Sequence, residues 1–183
     1  MNTILQTALD LTELSRAMQI AREAVLGGTD WIEAGTPLIK SEGMNAVREL
    51  AKEFPNHKII ADLKTSDTGG LEVEMAAKAG ADVVCILASA DDAVILDALR
   101  GAALYGVELM ADMMNVADVA GRAKQLADMG VHIINAHVGI DQQMEGKNPL
   151  DILSEISGLG VKVAAAGGLN AQTAAAAAAA GAD

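Results

Sequence analysis

The chain has 183 residues and a formal net charge of -12, and this acidic balance argues against nucleic-acid binding, because nucleic-acid-binding proteins present basic surface. The same charge argues against binding to anionic membranes. Hydrophobic residues make up 51% of the chain and aromatic residues only 2%, so the core must consist of small aliphatic side chains, which suit helices packed on a parallel sheet.

Apolar strand-like runs alternate with amphipathic helical segments along the chain. The sequence predicts strands over residues 4–9, 30–34, 58–63, 82–88, 107–113, 132–137 and 161–166. It predicts helices over residues 12–26, 43–54, 70–79, 90–104, 116–129, 150–156 and 171–180. Several helices end in a glycine directly before the next strand. Glycine at this position adopts the left-handed conformation that turns the chain from a helix toward a parallel strand. This pattern indicates repeated βα units with right-handed crossovers.

The last residues, 179–183, repeat the helix-end signal of residues 78–82, after which the fourth strand begins. We therefore expect an α/β fold: a single (β/α)8 TIM barrel domain over residues 1–183, truncated before the eighth strand, which is missing from the sequence. An open doubly wound sheet is the structural alternative.

Cys85 is the only cysteine and lies in an apolar run, so an intramolecular disulfide is excluded. We interpret it as a buried structural thiol. We find no signal peptide and no apolar run near the ~20 residues of a membrane span, and we expect a cytoplasmic location.

Active sites of such barrels lie at the carboxyl ends of the strands. The residues predicted there are Asp10, Glu33, Asp62, Lys64, Asp112, His137, Gly167 and Gly168. Side chains alternate along a strand, so Asp62 and Lys64 are expected to share a face. A carboxylate beside an ammonium is expensive to bury for packing alone. Asp67 lies just beyond, where it could reach this site or that of a neighbouring subunit.

Glu33 and Asp62 lie on adjacent predicted strands and offer two oxygen ligands, which suit Mg²⁺; zinc would prefer cysteine or several histidines. The glycine pair precedes a predicted helix and is a candidate phosphate site. Asp10 is interpreted either as the N-cap of the first helix or as a substrate contact. His137 is a candidate for proton transfer, whereas His132 is expected to be structural.

Six short motifs carry a family resemblance, at residues 5–10, 32–40, 61–67, 79–82, 137–143 and 165–168. Together they resemble the orotidine 5'-phosphate decarboxylase suprafamily, in the branch that holds 3-hexulose-6-phosphate synthases and 3-keto-L-gulonate-6-phosphate decarboxylases. The resemblance favours the synthases, because no arginine shortly follows His137 and because Asp112 stands where the decarboxylases carry glutamate. The resemblance is greatest to archaeal synthases, some of which carry a fused second domain.

The resemblance implies an aldol condensation of formaldehyde with D-ribulose 5-phosphate to D-arabino-3-hexulose 6-phosphate, and the reverse, through a Mg-stabilised 1,2-enediolate. It implies a homodimer with shared active sites, in which one subunit contributes an acid to the other. The implied roles are Glu33 and Asp62 for metal binding; Lys64, Asp67, Asp112 and His137 for catalysis; and Asp10, Gly167 and Gly168 for substrate binding.

Three alternatives stay open at this point. The first is the decarboxylase, and the second is a non-catalytic barrel module for assembly or phosphate sensing. The third concerns mechanism: Lys64 could form a Schiff base, although the adjacent Asp62 favours the charged ammonium over the nucleophilic amine.

Overall fold

A computed structural model describes residues 3–183 and shows one parallel sheet with strand order β1 to β7. The strands are β1 Gln6–Leu9, β2 Trp31–Ala34, β3 Lys58–Thr65, β4 Val83–Leu87, β5 Glu108–Asp112, β6 Ile133–His137 and β7 Lys162–Ala166. Each strand pairs in parallel with its neighbour in the chain. The predicted succession of parallel βα units is therefore confirmed, and the doubly wound alternative, whose strand order reverses at a switch point, is wrong.

The helices are α1 Leu14–Leu26, α2 Thr36–Glu42, α3 Asn45–Glu53, α4 Gly69–Ala79, α5 Asp92–Tyr105, α6 Val119–Met129, α7 Ile140–Gln143, α8 Pro149–Ile156 and α9 Ala174–Ala179. The sequence did not predict α2 or α7. Helix α2 carries Pro37 in its first turn, where proline is compatible with a helix although it reads as a loop signal in the sequence. Helix α7 is too short to show a helical period. Over the described residues, no helix is both long and apolar enough to cross a bilayer.

Asp183 contacts the edge strand β7 and the segment just before the other edge strand, β1. Its backbone N–H donates to the Val163 carbonyl at 2.8 Å, and its side chain accepts from the Val163 N–H at 2.9 Å. Its carbonyl accepts from the N–H of Ile4, just before β1, at 2.7 Å. Asp82 exchanges the same pair of hydrogen bonds with Ile59 directly before β4. Asp183 therefore makes the same kind of contacts as Asp82 makes, and the seven parallel strands with alternating helices agree with the predicted (β/α)8 barrel type.

Apolar side chains are buried on both faces of the sheet. The larger cluster packs the outer face against the helices, and a smaller cluster of Ile60, Val83, Cys85, Met110 and Ile133 fills the inner face. The burial predicted for Cys85 is confirmed. This inner cluster lies toward the amino ends of the strands. The polar side chains further along the strands therefore lie at the rim formed by the carboxyl ends.

Candidate active site

Asp62 and Lys64 converge as the sequence predicted, but through a bulge in β3. The pairing with β4 places Asp62 beside Cys85 and Thr65 beside Ile86, so β3 carries extra residues at this point. Lys64 has φ of 48°, a left-handed conformation that costs energy for a residue with a side chain. Its Nζ donates to Oδ2 of Asp62 at 2.8 Å.

The same ammonium also binds the buried carboxylate of Asp112, and this carboxylate connects it to His137. Nζ of Lys64 lies 2.8 Å from Oδ2 of Asp112, and Nδ1 of His137 lies 2.7 Å from that same oxygen. Burial raises the pKa of Asp112, but the hydrogen bond and charge of His137 and the charge of Lys64 outweigh it, so the pKa lies below its ordinary value. Asp112 therefore accepts as a carboxylate. Nδ1 of His137 is the donor, which leaves Nε2 available for proton transfer.

Lys64 keeps its charge in this environment. Burial lowers the pKa of the ammonium, but the carboxylates of Asp62 and Asp112 raise it by more than burial lowers it. The pKa therefore lies above the ordinary lysine value. The site thus presents a fixed positive charge at the end of β3.

Glu33 and Asp62 form a second acidic pair beside this group. Burial and the charge of Asp62 raise the pKa of Glu33 to about 8, although a hydrogen bond from Gln6 lowers it in part. Oδ2 of Asp62 accepts from Lys64 and, at 2.8 Å, from Oγ1 of Thr36. Oδ1 of Asp62 is buried and has no partner among the described residues. An unsatisfied carboxylate oxygen next to a second carboxylate fits a hard divalent cation that takes oxygen ligands.

Cys85 completes a different group of candidate metal ligands. Its Sγ and one carboxylate oxygen each of Asp62 and Asp112 lie within 4.8 Å of one another. The ammonium of Lys64 already binds one oxygen of each of these two carboxylates. Burial and the two neighbouring carboxylates also raise the pKa of the Cys85 thiol, which keeps it protonated and a poor ligand. The unpartnered Oδ1 of Asp62, together with Glu33, is therefore the better candidate for binding a cation.

Asp10 follows β1 and does not cap α1, whose N-cap is Glu13, so the capping interpretation is wrong. Burial and the charge of Asp62 raise the pKa of Asp10, while Lys64 and His137 lower it in part. Asp10 therefore lies close enough to these three side chains to be influenced by their charges. Its role in substrate binding stays a prediction.

Asp67 lies outside this connected group. Its side chain is exposed, and Oδ1 accepts from the backbone N–H of Thr68 at 2.8 Å in the loop before α4. No hydrogen bond joins Asp67 to Asp62 or Lys64 within residues 3–183. It stands at the outer rim, where it can meet a molecule that approaches the site from outside.

Gly167 and Gly168 form a tight turn directly after β7, with φ of 100° and 68°. A Cβ on Gly167 would lie 2.2 Å from the carbonyl oxygen of Val138, and a Cβ on Gly168 would lie 2.9 Å from Oε1 of Gln143. The glycines precede helix α9 as predicted, but this helix begins at Ala174 rather than at the predicted residue 171, so five residues separate Gly168 from it. Their backbone amides are the remaining candidates for phosphate binding.

Sequence reasoning missed three polar residues. Gln6 donates to Glu33, Thr36 donates to Asp62, and Asn135 on β6 is buried with its Oδ1 unpartnered among the described residues. Gln6 and Asn135 share a signal that could have identified them, since each is polar at an inward position of a mostly apolar strand. Thr36 gives no such signal, because it belongs to an unpredicted helix.

Comparisons with known proteins agree on one family. Residues 3–183 match the model of the orotidine 5'-phosphate decarboxylase / HUMPS family. The chain is 40% identical over 171 residues to a 3-hexulose-6-phosphate synthase of Bacillus subtilis, covering 92% of this chain and 81% of that protein. A 3-hexulose-6-phosphate synthase structure from Salmonella typhimurium superposes with a TM-score of 0.91 and 33% identity, covering 98% of this chain and 86% of the other. A 3-keto-L-gulonate-6-phosphate decarboxylase structure from Vibrio cholerae superposes with a TM-score of 0.83 and 31% identity, covering 94% and 82%.

Proposed function

Because the chain belongs to the orotidine 5'-phosphate decarboxylase / HUMPS family, we propose that it is a 3-hexulose-6-phosphate synthase. This enzyme is an aldehyde-lyase that joins formaldehyde to D-ribulose 5-phosphate, giving D-arabino-3-hexulose 6-phosphate, and also catalyses the reverse reaction. The observation that carries the proposal is the 40% identity to a named synthase over 92% of the chain. The segment after His137 supports it, because residues 138–141 contain no arginine.

Proton transfer is assigned to Nε2 of His137. It removes a proton from C1 of ribulose 5-phosphate, the electron pair moves toward the C2 carbonyl oxygen, and a 1,2-enediolate results. C1 then bonds to the formaldehyde carbon, and the protonated imidazole returns the proton to the former aldehyde oxygen. The assignment is supported by the contact of Nδ1 with Asp112, which leaves Nε2 as the free nitrogen.

Lys64 stabilises the negative charge that develops on the substrate oxygens. Its ammonium is held by Asp62 and Asp112 before substrate arrives, so little reorganisation is required during the reaction. The bulge in β3 supports this role, because a strained conformation is kept only where the surroundings enforce it.

Glu33 and Asp62 are the proposed ligands of Mg²⁺. A bound Mg²⁺ supplies Lewis-acid stabilisation of substrate oxyanions. The unpartnered Oδ1 of Asp62 and the raised pKa of Glu33 support this choice, since two adjacent carboxylates without a cation repel each other.

The remaining assignments concern the substrate and the assembly. Asp10 contacts substrate hydroxyls, and the amides of Gly167 and Gly168 bind the phosphate. Asp112 is fully buried and acts through Lys64 and His137 rather than on the substrate. Asp67 reaches the site of a second copy in a homodimer with shared active sites, which its exposed position supports. The single domain, the cytoplasmic location, the archaeal affinity and a fused second domain stay predictions.

The proposal is tested by formaldehyde consumption with ribulose 5-phosphate, with Mg²⁺ and with chelator. Wild type is compared with Asp62→Ala and with Asp128→Ala, which removes an exposed acid from α6. We expect turnover that chelator and Asp62→Ala abolish and that Asp128→Ala leaves intact. Formaldehyde loss that ignores both treatments would overturn the assignment. Carbon dioxide release from 3-keto-L-gulonate 6-phosphate would instead support the decarboxylase.

A further inference from the structure

Glu33 accepts a hydrogen bond from one side chain among the described residues, Gln6. Nε2 of Gln6 donates to Oε2 of Glu33 from the neighbouring strand β1. The strand pairing places Gln6 beside Trp31 and Ala8 beside Glu33, so the Gln6 amide reaches Glu33 from one layer deeper in the interior. Nothing else in the sheet restrains the carboxylate by hydrogen bonding, within residues 3–183.

The two proposed metal ligands are held in the same way. On Asp62, Oδ2 is bound by Thr36 and Lys64 and Oδ1 is unpartnered. On Glu33, Oε2 is bound by Gln6, which leaves Oε1 as the oxygen without a side-chain donor. Each carboxylate therefore has one oxygen fixed by a donor and one oxygen left over.

We propose that Gln6 is a positioning residue for the metal site: its amide fixes the orientation of Glu33 so that Oε1 faces a divalent cation together with Oδ1 of Asp62. This inference rests on the proposed function, because it needs Glu33 and Asp62 to be the ligands. Partners that orient ligands affect metal affinity by about 10- to 100-fold when they are removed.

A purely structural role for Gln6 predicts a different outcome. If the side chain only fills space below Ala8, methionine of similar length should replace it without loss. If the N–H is required, methionine must weaken metal binding, although it fills the same volume. Asparagine keeps the amide but is one methylene too short to reach Glu33 from the layer of Trp31, so it should also weaken binding.

The test uses Mn²⁺ without substrate, followed by the electron paramagnetic resonance signal of the free aqua ion, which bound Mn²⁺ does not give. Mn²⁺ accepts the same oxygen ligands as Mg²⁺. The proteins are wild type, Gln6→Met, Gln6→Asn, Glu33→Gln and Thr7→Val. Thr7 lies next to Gln6 on β1 but bonds to Thr29, so this variant controls for damage to the strand.

We expect Gln6→Met and Gln6→Asn to raise the Kd for Mn²⁺ by about 10- to 100-fold and Thr7→Val to leave it unchanged. Unchanged affinity in folded Gln6→Met or Gln6→Asn, with weakened affinity in Glu33→Gln, would overturn the role of Gln6 and leave the metal site in place. Unchanged affinity in Glu33→Gln as well would overturn the metal site itself. Folding of each variant is checked by circular dichroism, and Gln6→Asn decides the matter if Gln6→Met does not fold.

Discussion

Nζ of Lys64 lies 2.8 Å from Oδ2 of Asp112, a carboxylate with no solvent-exposed surface. The same oxygen binds Nδ1 of His137. One buried atom therefore fixes the position of the positive charge and the tautomer of the proposed base.

Removing the charge of Asp112 should impair both partners together. In Asp112→Asn the side chain keeps its shape, but the amide cannot accept from Lys64 and His137 with a carboxylate's strength. We expect kcat for formaldehyde addition to fall by about 10²- to 10³-fold, the usual loss for a preorganised electrostatic group. Steady-state kinetics checks this, with Asp128→Asn as the exposed control. A kcat equal to that of the wild type would contradict the proposed coupling.

The sequence predicted the order of the parallel strands and much of the rim, because both depend on local patterns. Apolar runs, helix-ending glycines and polar residues at strand ends each report on their own segment. The bulge at Lys64 depends instead on how β3 pairs with β4, so no local pattern reveals it.

The sequence also does not predict which polar side chains at the carboxyl-end rim bind one another. The bond from Gln6 to Glu33 joins residues 27 positions apart, and that from Lys64 to Asp112 joins residues 48 apart. Residue type suggests that such side chains need partners, but only the register of the sheet selects which partners they obtain.

Lys64 should not form a covalent adduct with the substrate. The carboxylates of Asp62 and Asp112 raise its pKa, so the nucleophilic amine is scarce at neutral pH. We expect no mass increase on the peptide that contains Lys64 after incubation with ribulose 5-phosphate and borohydride. An aldolase that uses a lysine Schiff base serves as the positive control. A reduced adduct on Lys64 would overturn the electrostatic role given to it.

Gly167→Ala should damage the turn after β7 more than a comparable change elsewhere. Gly130 has φ of 97°, close to the 100° of Gly167, but a Cβ there meets no atom within 4 Å. Gly130→Ala should therefore cost only the backbone strain of about 1–2 kcal/mol in the free energy of unfolding. Gly167→Ala adds the clash with Val138, so we expect greater destabilisation together with a raised KM for ribulose 5-phosphate.

Urea unfolding and steady-state kinetics on both alanine variants check this prediction. The informative quantity is the KM for the phosphorylated sugar relative to wild type. Equal KM values for the two variants would argue against a phosphate site at the glycine turn, whatever their stabilities.

His132 acts in the sheet as Asp82 does at the start of β4. Its backbone N–H donates to the Leu109 carbonyl at 3.2 Å, and Nδ1 of its ring accepts from the Leu109 N–H at 3.0 Å. Asp82 exchanges the corresponding pair of bonds with Ile59 through its carboxylate. Position 132 therefore requires a side-chain hydrogen-bond acceptor for the Leu109 N–H rather than an imidazole as such. This agrees with the structural role predicted for His132.

His132→Asp should accordingly retain most of the stability, because a carboxylate can accept from the Leu109 N–H as Asp82 accepts from Ile59. His132→Leu removes the acceptor and should lower the free energy of unfolding by about 1–3 kcal/mol, the cost of a buried N–H without a partner. Asp82→Leu is the matched comparison and should lose a similar amount. Urea unfolding followed by circular dichroism measures all three. If His132→Asp proved as unstable as His132→Leu, the ring would have to stabilise the fold by packing instead of accepting a hydrogen bond.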